Sequence, residues 1–462
     1  MIQRRKFLKQ LGIALPGTLL IPSILNSCKK EIDFPTTDWA GKIIIIGAGA
    51  SGIYSAYILK KYAKNATIEI HEASNTYGGR IRELDGFADF KVELGAEEVH
   101  GKNSKWYEIV DSTNATYIDT KNELDFIMLD STLKDEDEAK NDSDYNKAVT
   151  VAESAATYSG AEIDCETFAQ NNGVPNRTMH VLNARTGNEY GTSASKLSAN
   201  GISAEDDLWS SGEQNYNLAN RSYYSILNEK YSDIISQINY NSQIIDINYS
   251  NETIVLKNQN GSEFFADKVI VTVPIKILKK GDINFIPTIP AEKTNAMNNI
   301  GMDSGMKIII KFSTRFWDAN CGSIIGNGVV PEYWYSSKGR GSDPVLTSFI
   351  MGDKATYLST EGTNAINLVL ADLDTMFGSG VASGSMLSYH ICDWSKEPFI
   401  GGSYSYAMNK DIIAHRTTLS KNINKKIYFA GEATHTKGHN STVHGAIETA
   451  ENVSKEILDE LA

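Results

Sequence analysis

Apolar residues along the chain fall into patterns that predict both strands and helices. Residues 43–46 are four consecutive isoleucines, as expected of a parallel strand that is covered on both faces. Residues 67–71 predict a second strand, and the segment from about 51 to 62 predicts a helix between the two. Near the C-terminus, apolar residues recur every three or four positions and predict a long helix that begins near Val443. Its apolar stripe consists of Ile447, Ala450, Val453, Ile457 and Leu461.

A glycine-rich turn joins the first predicted strand to the first predicted helix. Its spacing, Gly47-x-Gly49-x-x-Gly52, is that of a dinucleotide-binding fingerprint. Gly47 permits the tight turn, Gly49 lets the backbone approach a pyrophosphate, and Gly52 lets the helix pack closely on the strand. Ala50 and Ser51 open the helix, whose positive N-terminal end would point at the phosphates. The turn therefore predicts a bound dinucleotide.

The second predicted strand ends at an acidic residue. Glu72 stands twenty residues after Gly52, with Ala73 beside it, where a carboxylate is expected to accept the ribose hydroxyls. Gly79 and Arg80 follow closely, preceded by another glycine. Flexible glycines beside a fixed cation suit a second approach of the backbone to the cofactor. This combination favours FAD over NAD.

These motifs, together with two near the C-terminus, resemble those of the flavin-containing amine oxidase family, which includes monoamine oxidases, polyamine oxidases and flavin-dependent histone lysine demethylases. The resemblance runs from about residue 42 to the C-terminus, and its most specific parts are YFAGEA at 428–433 and STVHGA at 441–446. It implies an α/β fold, in which a Rossmann-like FAD-binding domain with a parallel sheet is joined to a discontinuous α+β substrate domain.

The resemblance also implies further contacts with the cofactor. The backbone of Ile244 matches the family position that meets the adenine, and Gly431 and Glu432 match the segment at the ribityl-pyrophosphate region. Val443 begins the last helix, whose N-terminus would stabilise an anionic reduced flavin. Ser403 stands where monoamine oxidases carry the cysteine that bonds the flavin. A serine cannot form that thioether, so FAD is expected to be non-covalent.

Four residues are assigned to the reacting end of the flavin by the same resemblance. Lys307 opens an apolar strand and has the family's spacing to a tryptophan; the family's lysine holds a water against flavin N5. Tyr404 matches an aromatic wall at the flavin face, and His100 matches a residue that contacts the amine. Thr442 stands where monoamine oxidases have a second cage tyrosine, so a cage of two tyrosines is not expected.

The motifs divide the 462 residues into two discontinuous domains, a number that the chain length allows. The FAD-binding domain is expected at 41–105, 226–300 and 393–462. The substrate domain is expected at 106–225 and 301–392.

The first residues predict an export signal. A twin arginine, Arg4-Arg5, precedes a fifteen-residue apolar stretch, shorter than the roughly 20 residues that span a bilayer. Residues 1–28 therefore resemble a Tat-type lipoprotein signal that ends at Cys28, and 29–40 read as a linker. The protein is expected in the periplasm or anchored to the cell envelope, with membrane contact only through a lipid on Cys28. The alternative is an uncleaved anchor helix.

Composition narrows the classes of partner. The formal net charge of −13 argues against binding to nucleic acid and suits a cationic ligand. The four cysteines show no spacing typical of a metal site, so no metal is predicted. Cys165, Cys321 and Cys392 are expected to be buried thiols.

The function that these features favour is oxidation of an amine, either a polyamine or a monoamine, by hydride transfer to flavin N5. The imine would hydrolyse, and O2 or another acceptor would reoxidise the flavin. L-amino-acid oxidase is an alternative within the superfamily. It needs a cation soon after Gly95-Ala96, where this chain has Glu97-Glu98. An alternative of another class is an exported lipoprotein that keeps the FAD fold as a binding module without turnover.

Overall fold

A computed structural model describes residues 32–120 and 123–462. The predicted signal at 1–28, with Cys28, and residues 29–31 of the predicted linker lie outside this part of the chain. Among the described residues, no helix has both the length and the apolar character needed to cross a membrane.

The strands are given in chain order. They are β1 (Lys42–Ile46), β2 (Thr67–His71), β3 (Glu83–Leu84), β4 (Val92–Glu93), β5 (Val99–His100), β6 (Tyr117–Asp119), β7 (Leu124–Leu129), β8 (Thr132–Asp135), β9 (Asn215–Leu218), β10 (Ile238–Asn239), β11 (Ile244–Asn248), β12 (Ile254–Asn258), β13 (Glu263–Ala266), β14 (Lys268–Val271), β15 (Asn284–Ile286), β16 (Ile300–Met302), β17 (Gly305–Phe312), β18 (Cys321–Ile325), β19 (Glu332–Tyr335), β20 (Val345–Met351), β21 (Met386–Asp393), β22 (Ser405–Ala407) and β23 (Ile427–Phe429).

The α-helices are given in the same way. They are α1 (Ala50–Tyr62), α2 (Lys105–Asp111), α3 (Glu136–Ala139), α4 (Ser143–Ser154), α5 (Cys165–Asn171), α6 (Met179–Asn183), α7 (Ala199–Asp206), α8 (Tyr223–Ile235), α9 (Ile275–Lys280), α10 (Ala291–Asn298), α11 (Gly352–Glu361), α12 (Ala365–Phe377), α13 (Ile412–Ser420) and α14 (Val443–Leu461).

A five-stranded parallel sheet has the order β10-β2-β1-β14-β23. The isoleucines of β1 are buried on both faces, as their continuous apolar run predicts. On one face, Ile43 and Ile45 pack in the same core as residues of α1 and α14. On the other face, Ile44 and Ile46 pack against the four-stranded sheet β13-β12-β11-β15. The predicted α/β fold with a Rossmann-like domain is confirmed.

A second, seven-stranded sheet has the order β21-β17-β20-β19-β18-β7-β8. Its strand β17 lies between β20 and β21 and is antiparallel to both. The expectation that Lys307 opens the strand is wrong, because β17 begins at Gly305 and Lys307 pairs with Phe349 on one side and Cys392 on the other. The lysine is therefore fixed inside a sheet, not at an edge.

The two sheets draw on separate parts of the chain. The parallel sheet takes strands from 42–71, 238–271 and 427–429, and the seven-stranded sheet takes them from 124–135 and 305–393. Each sheet is therefore built from separate segments of the chain, as the motifs imply. The exact domain boundaries stay a prediction. Cys165, Cys321 and Cys392 are buried free thiols, as expected.

Candidate functional site

A large cavity opens at the carboxyl ends of the parallel strands, where ligands bind in open α/β sheets. It encloses about 2050 Å³ of space, part of it open to solvent. Every predicted site residue except Gly52 lines it. These residues are Gly47, Gly49, Ala50, Ser51, Glu72, Ala73, Gly79, Arg80, His100, Ile244, Lys307, Tyr404, Gly431, Glu432, Thr442 and Val443. The roles assigned to them stay predictions, and the structure brings them together at one site.

The fingerprint glycines differ in what surrounds them. Gly47 has a φ of 104°, a conformation that favours glycine. A Cβ on Gly52 would lie 1.9 Å from the carbonyl oxygen of Gly47, whereas a Cβ on Gly49 would meet nothing nearer than Gly78 O at 4.0 Å. Gly52 thus serves the packing of α1 on the turn, and Gly49 leaves open the space where a pyrophosphate would approach.

The N-terminus of α1 has unsatisfied polar groups that fit a phosphate. No side chain caps the helix, and its first turn contains no acidic residue. Ser51 is buried beside the cavity, and its Oγ has no hydrogen-bond partner among the described residues. Free N–H groups, a positive helix dipole and an unpaired hydroxyl are what a bound pyrophosphate satisfies.

Glu72 is held rigidly at the end of β2. Its Oε2 accepts the N–H of Ala48 at 2.7 Å, and its Oε1 accepts both the N–H and the hydroxyl of Ser74 at 2.9 Å. The carboxylate lines the cavity next to the phosphate site. Its fixed position suits the predicted contact with ribose hydroxyls.

Arg80 and Glu432 form an ion pair at 3.0 Å. Glu432 Oε2 also accepts the hydroxyl of Ser405 at 2.6 Å and the N–H of Ser441 at 2.9 Å. Burial alone would raise the pKa of Glu432, but the cations of Arg80 and Arg416 outweigh it and lower that pKa. Glu432 therefore stays ionised and ties the Arg80 turn to the C-terminal segment.

Arg416 supports this pair from behind, although no motif in the sequence signals it. It is fully buried in α13. Its guanidinium donates to the hydroxyl of Ser405 at 2.7 Å and lies 2.8 Å from the carboxylate of Glu205. The cation can be buried because Glu205 neutralises it.

Lys307 shares a buried carboxylate with a second cation. Its Nζ donates to Glu97 Oε2 at 2.9 Å and to the carbonyl of Gly95 at 2.9 Å. Arg340 Nη1 donates to Glu97 Oε1 at 2.5 Å. Burial alone would raise the pKa of Glu97, but Lys307 and Arg340 lower it to about 2. Arg340 lies in the turn between β19 and β20, far away in sequence, and was not predicted.

Glu97 and Glu98, which stand where an amino-acid oxidase needs a cation, have different surroundings. Glu97 is committed to Lys307 and Arg340, so only Glu98 remains for a ligand. Glu98 Oε2 accepts the amide of Asn215 at 2.9 Å, and its Oε1 is buried without a hydrogen-bond partner. Burial, with the nearby charges of Glu189 and Glu97, raises the pKa of Glu98 to about 8.

Aromatic rings and Glu189 line the cavity near Glu98. The hydroxyl of Tyr404 donates to the backbone carbonyl of Glu189 at 2.7 Å, which fixes the tyrosine ring. Trp334 and Phe349 stack with ring centroids 4.2 Å apart. All of these residues line the same cavity, so this region combines acidic groups with aromatic faces, both of which attract cations.

Thr442 and His100 have structural partners. Thr442 caps α14, since its hydroxyl accepts the N–H of Gly445 at 3.0 Å and donates to the carbonyl of His439 at 2.7 Å. His100 Nδ1 lies 3.1 Å from the amide oxygen of Asn215. Thr442 thus positions the helix that begins at the cavity, and His100 remains a wall residue.

His435, His439 and Glu448 meet at one carboxylate oxygen. Glu448 Oε2 lies 2.8 Å from His435 Nε2 and 2.7 Å from His439 Nδ1. The other nitrogen of each ring accepts a backbone N–H: His435 Nδ1 takes that of His439 at 3.0 Å, and His439 Nε2 takes that of Ser210 at 3.1 Å. Each ring therefore presents an N–H to Glu448, whereas a metal needs a lone pair there. The group is a hydrogen-bonded clamp and not a metal centre.

The cavity and sheet are those of a Rossmann-type flavoprotein, and comparison with known families agrees. A family described as NAD(P)-binding Rossmann-like domain matches residues 45–113. A family described as flavin containing amine oxidoreductase matches residues 232–458. The chain belongs to the flavin-containing amine oxidoreductase family, and its cofactor is FAD.

Similar proteins include demethylases and oxidases. The chain is 25% identical over 431 residues to human (Homo sapiens) lysine-specific histone demethylase 2, covering 87% of this chain and 52% of that protein. It is 23% identical over 489 residues to polyamine oxidase 4 of Oryza sativa subsp. japonica, covering 96% of this chain and 92% of the oxidase. It spans only 14% of lysine-specific histone demethylase 1 homolog 3 of Arabidopsis thaliana, at 29% identity over 49% of this chain.

Solved structures share the fold. Cyclohexylamine oxidase from Brevibacterium oxydans aligns with a TM-score of 0.75 at 15% identity, over 92% of this chain and 100% of that one. A triple mutant of putrescine oxidase aligns with a TM-score of 0.74 at 15% identity, over 91% of this chain and 99% of that one. At 15% sequence identity, these alignments show that the folds are similar and nothing more.

Two glycine substitutions should separate folding from cofactor binding. Gly52→Ala forces a Cβ against Gly47 O, and we expect it to destabilise the cofactor-free protein by about 1–3 kcal/mol. Gly49→Ala has space and an ordinary φ of −77°, so we expect normal stability but about tenfold or greater loss of FAD affinity. Thermal unfolding and FAD titration measure the two effects. Equal destabilisation by both substitutions would contradict this assignment.

Glu98 should make stability depend on pH. Its pKa in the folded protein, about 8, is raised from 4.5. The fold therefore favours the protonated form, and its stabilising effect is complete below the unfolded pKa and is lost as the pH rises through about 8. Glu98→Gln cannot ionise, so we expect it to lose less stability than the wild type between about pH 5 and pH 8. Urea unfolding at both pH values measures this.

The matched control is Glu213→Gln, which removes the same charge from an exposed position. It should follow the wild type. If the free energy of unfolding of Glu98→Gln falls between these pH values as much as that of the wild type, ionisation of Glu98 is not the cause of the pH dependence.

Proposed function

We propose that this chain is an FAD-dependent amine oxidase whose substrate is a cationic monoamine or polyamine. The observation that supports this most directly is the charge balance of the cavity wall. Glu98 and Glu189 line the wall, and Glu98 keeps one buried oxygen without a hydrogen bond among the described residues. With a pKa of about 8, Glu98 is largely protonated at neutral pH, and a substrate ammonium would supply the hydrogen bond and the positive charge that favour its ionised form.

The positive groups of the wall point to the same substrate class. Arg80, Arg82 and Lys307 line the cavity, and each already forms an ion pair with a glutamate, at 3.0, 2.6 and 2.9 Å respectively. A substrate carboxylate would have to compete with one of these glutamates, and for the buried pair of Lys307 and Glu97 the loss of a partner costs about 3–5 kcal/mol. This disfavours an L-amino-acid oxidase.

Aromatic rings would hold the amine next to Glu98. The ring of Tyr404 is fixed by its hydroxyl, and Trp334 is stacked on Phe349. Ring faces attract an ammonium or the C–H groups beside it. Tyr404 would form the aromatic wall, because Trp334 is stacked on Phe349 and already has Lys307 Nζ 4.8 Å from its ring centroid.

When bound, FAD supplies the hydride acceptor at N5 and is then reoxidised, by O2 with release of H2O2 or by another acceptor. The chain's own residues bind and orient the reactants. Lys307 Nζ donates to Glu97 Oε2 and to the backbone carbonyls of Gly95 and Glu93, so it would hold the predicted water only by releasing one of these three bonds. Ser403 donates its hydroxyl to the carbonyl of Gly191 at 2.8 Å and offers no thiol, so we propose non-covalent FAD.

We also propose that the protein is exported to the cell envelope. The support is the twin arginine and the apolar stretch within residues 1–28. Mass spectrometry of the protein purified from its native envelope tests this: a first mature residue other than Cys28, or an intact residue 1, would contradict a lipoprotein signal.

Anaerobic titration of the purified full chain with amines tests the reaction. We expect a yellow protein whose flavin absorbance is bleached by diamines, polyamines or aromatic monoamines. Glu98→Gln should raise the amine concentration for half-maximal bleaching by about tenfold, equivalent to one charge-assisted hydrogen bond. Glu213→Gln, with the same loss of charge at an exposed site, should leave that concentration unchanged.

Each other result has a distinct meaning. Bleaching by L-amino acids alone would replace the proposal by an amino-acid oxidase. A yellow protein that no amine bleaches would point to a binding module without turnover. Equal behaviour of both glutamate variants would remove Glu98 from substrate binding.

A further inference from the structure

A continuous series of hydrogen-bonding groups leads away from the cavity. His444 lines the cavity, and its Nε2 lies 2.9 Å from Ser211 Oγ. Ser211 Oγ lies 3.1 Å from His439 Nε2, and His439 Nδ1 lies 2.7 Å from Glu448 Oε2. His444 and Ser211 are buried, whereas the side chain of Glu448 is 22% exposed. The series therefore connects the cavity to solvent.

The tautomer of His439 gives this series a direction. The backbone N–H of Ser210 donates to His439 Nε2 at 3.1 Å, so the ring proton is on Nδ1 and points at Glu448. The hydroxyl of Ser211 can then donate to His439 Nε2, where it shares the one lone pair with the Ser210 N–H, and accept from His444 Nε2. Every donor along the series points towards Glu448, and a proton that enters His444 would bind its other nitrogen, Nδ1.

The charged groups around the series keep protons from resting on it. Burial, together with His439 and His100, lowers the pKa of His444 well below its usual value. Burial alone would raise the pKa of Glu448, but the N–H groups of His435 and His439 lower it. At rest His444 is therefore neutral and Glu448 is ionised, so neither end of the series already carries the proton.

We propose that His444, Ser211, His439 and Glu448 form a proton-transfer path from the active-site cavity to solvent. The path removes the proton that a substrate ammonium must lose before its carbon can be oxidised. This inference rests on the proposed amine oxidase function. His444 receives the proton directly, and the other three residues act through it.

The transfer is balanced in protons and moves no electrons between molecules. An N–H bond of the ammonium breaks, its electron pair stays on nitrogen, and the proton binds His444 Nδ1. The Nε2 proton of His444 moves to Ser211, the hydroxyl proton of Ser211 moves to His439 Nε2, and the Nδ1 proton of His439 moves to Glu448 and then to water. After product release, a reverse transfer restores the resting tautomers: a proton from water enters at Glu448, and the proton on His444 Nδ1 leaves to water in the cavity.

Two neighbouring serines provide a matched pair of variants. Ser211→Ala removes the link between the two histidines. Ser210→Ala removes a hydroxyl that lies 3.2 Å from the same nitrogen of His439 but leaves the Ser211 link in place. Glu448→Gln interrupts the path at its partly exposed end, away from the buried core.

The first measurement is the rate of anaerobic flavin reduction by a saturating amine. At neutral pH, where the amine is cationic, we expect Ser211→Ala and Glu448→Gln to reduce the rate about tenfold or more, since general base catalysis contributes 10²–10⁴-fold. The deficit should disappear above the pKa of the amine. Ser210→Ala should match the wild type throughout. Ser211→Ala and Glu448→Gln rates equal to that of Ser210→Ala at neutral pH would overturn the path.

The second measurement does not depend on activity. In ¹⁵N-histidine-labelled protein, long-range nitrogen–proton NMR spectra should show His439 with its proton on Nδ1, and a proton on Nε2 would overturn the direction of transfer. If no amine reduces the wild-type flavin, the proposed function fails, and these spectra still decide whether the hydrogen-bonded path exists.

Discussion

The carboxylate of Glu97 joins parts of the molecule that are far apart in sequence. Its two oxygens bind Lys307 in β17 and Arg340 in the turn before β20, and all three side chains are at most 5% exposed. Removing one partner from a buried pair leaves an uncompensated charge and costs about 3–5 kcal/mol. Arg340 also donates to the carbonyl of Leu218 in β9 at 2.9 Å. The wall of the cavity therefore depends on this single carboxylate.

The same rule of paired charges shapes the rest of the site. Arg80 is neutralised by Glu432, and Arg416 by Glu205. Of the described acidic residues that line the cavity, these pairs leave Glu98 as the one with a buried oxygen that has no hydrogen-bond partner. The selectivity proposed for the cavity thus follows from which charges are already compensated and not from the net charge of the protein.

Local parts of the site were predictable from sequence, and distant parts were not. The β1 turn, α1, β2 and Glu72 follow one another along the chain, so spacing alone places them. Arg340 and Arg416 carry no motif, because a lone arginine acquires its meaning only from the carboxylate that the fold brings to it. The sequence placed Glu97 where an amino-acid oxidase needs a cation, but it could not show that two cations from other segments bind this carboxylate. The histidines at 435 and 439 were missed for the same reason.

The parallel sheet joins strands from the beginning and the end of the described chain, and this determines when the cofactor site can be completed. Gly47 follows the first strand to be synthesised, whereas Glu432 follows β23, the last strand of the chain, and Val443 begins the final helix. β23 pairs only with β14 in this sheet, at its outer edge. A chain still being synthesised on the ribosome thus carries the phosphate turn long before it can close the site. The full set of predicted FAD contacts can therefore form only after Glu432 has been synthesised, because a parallel sheet is built from non-local contacts.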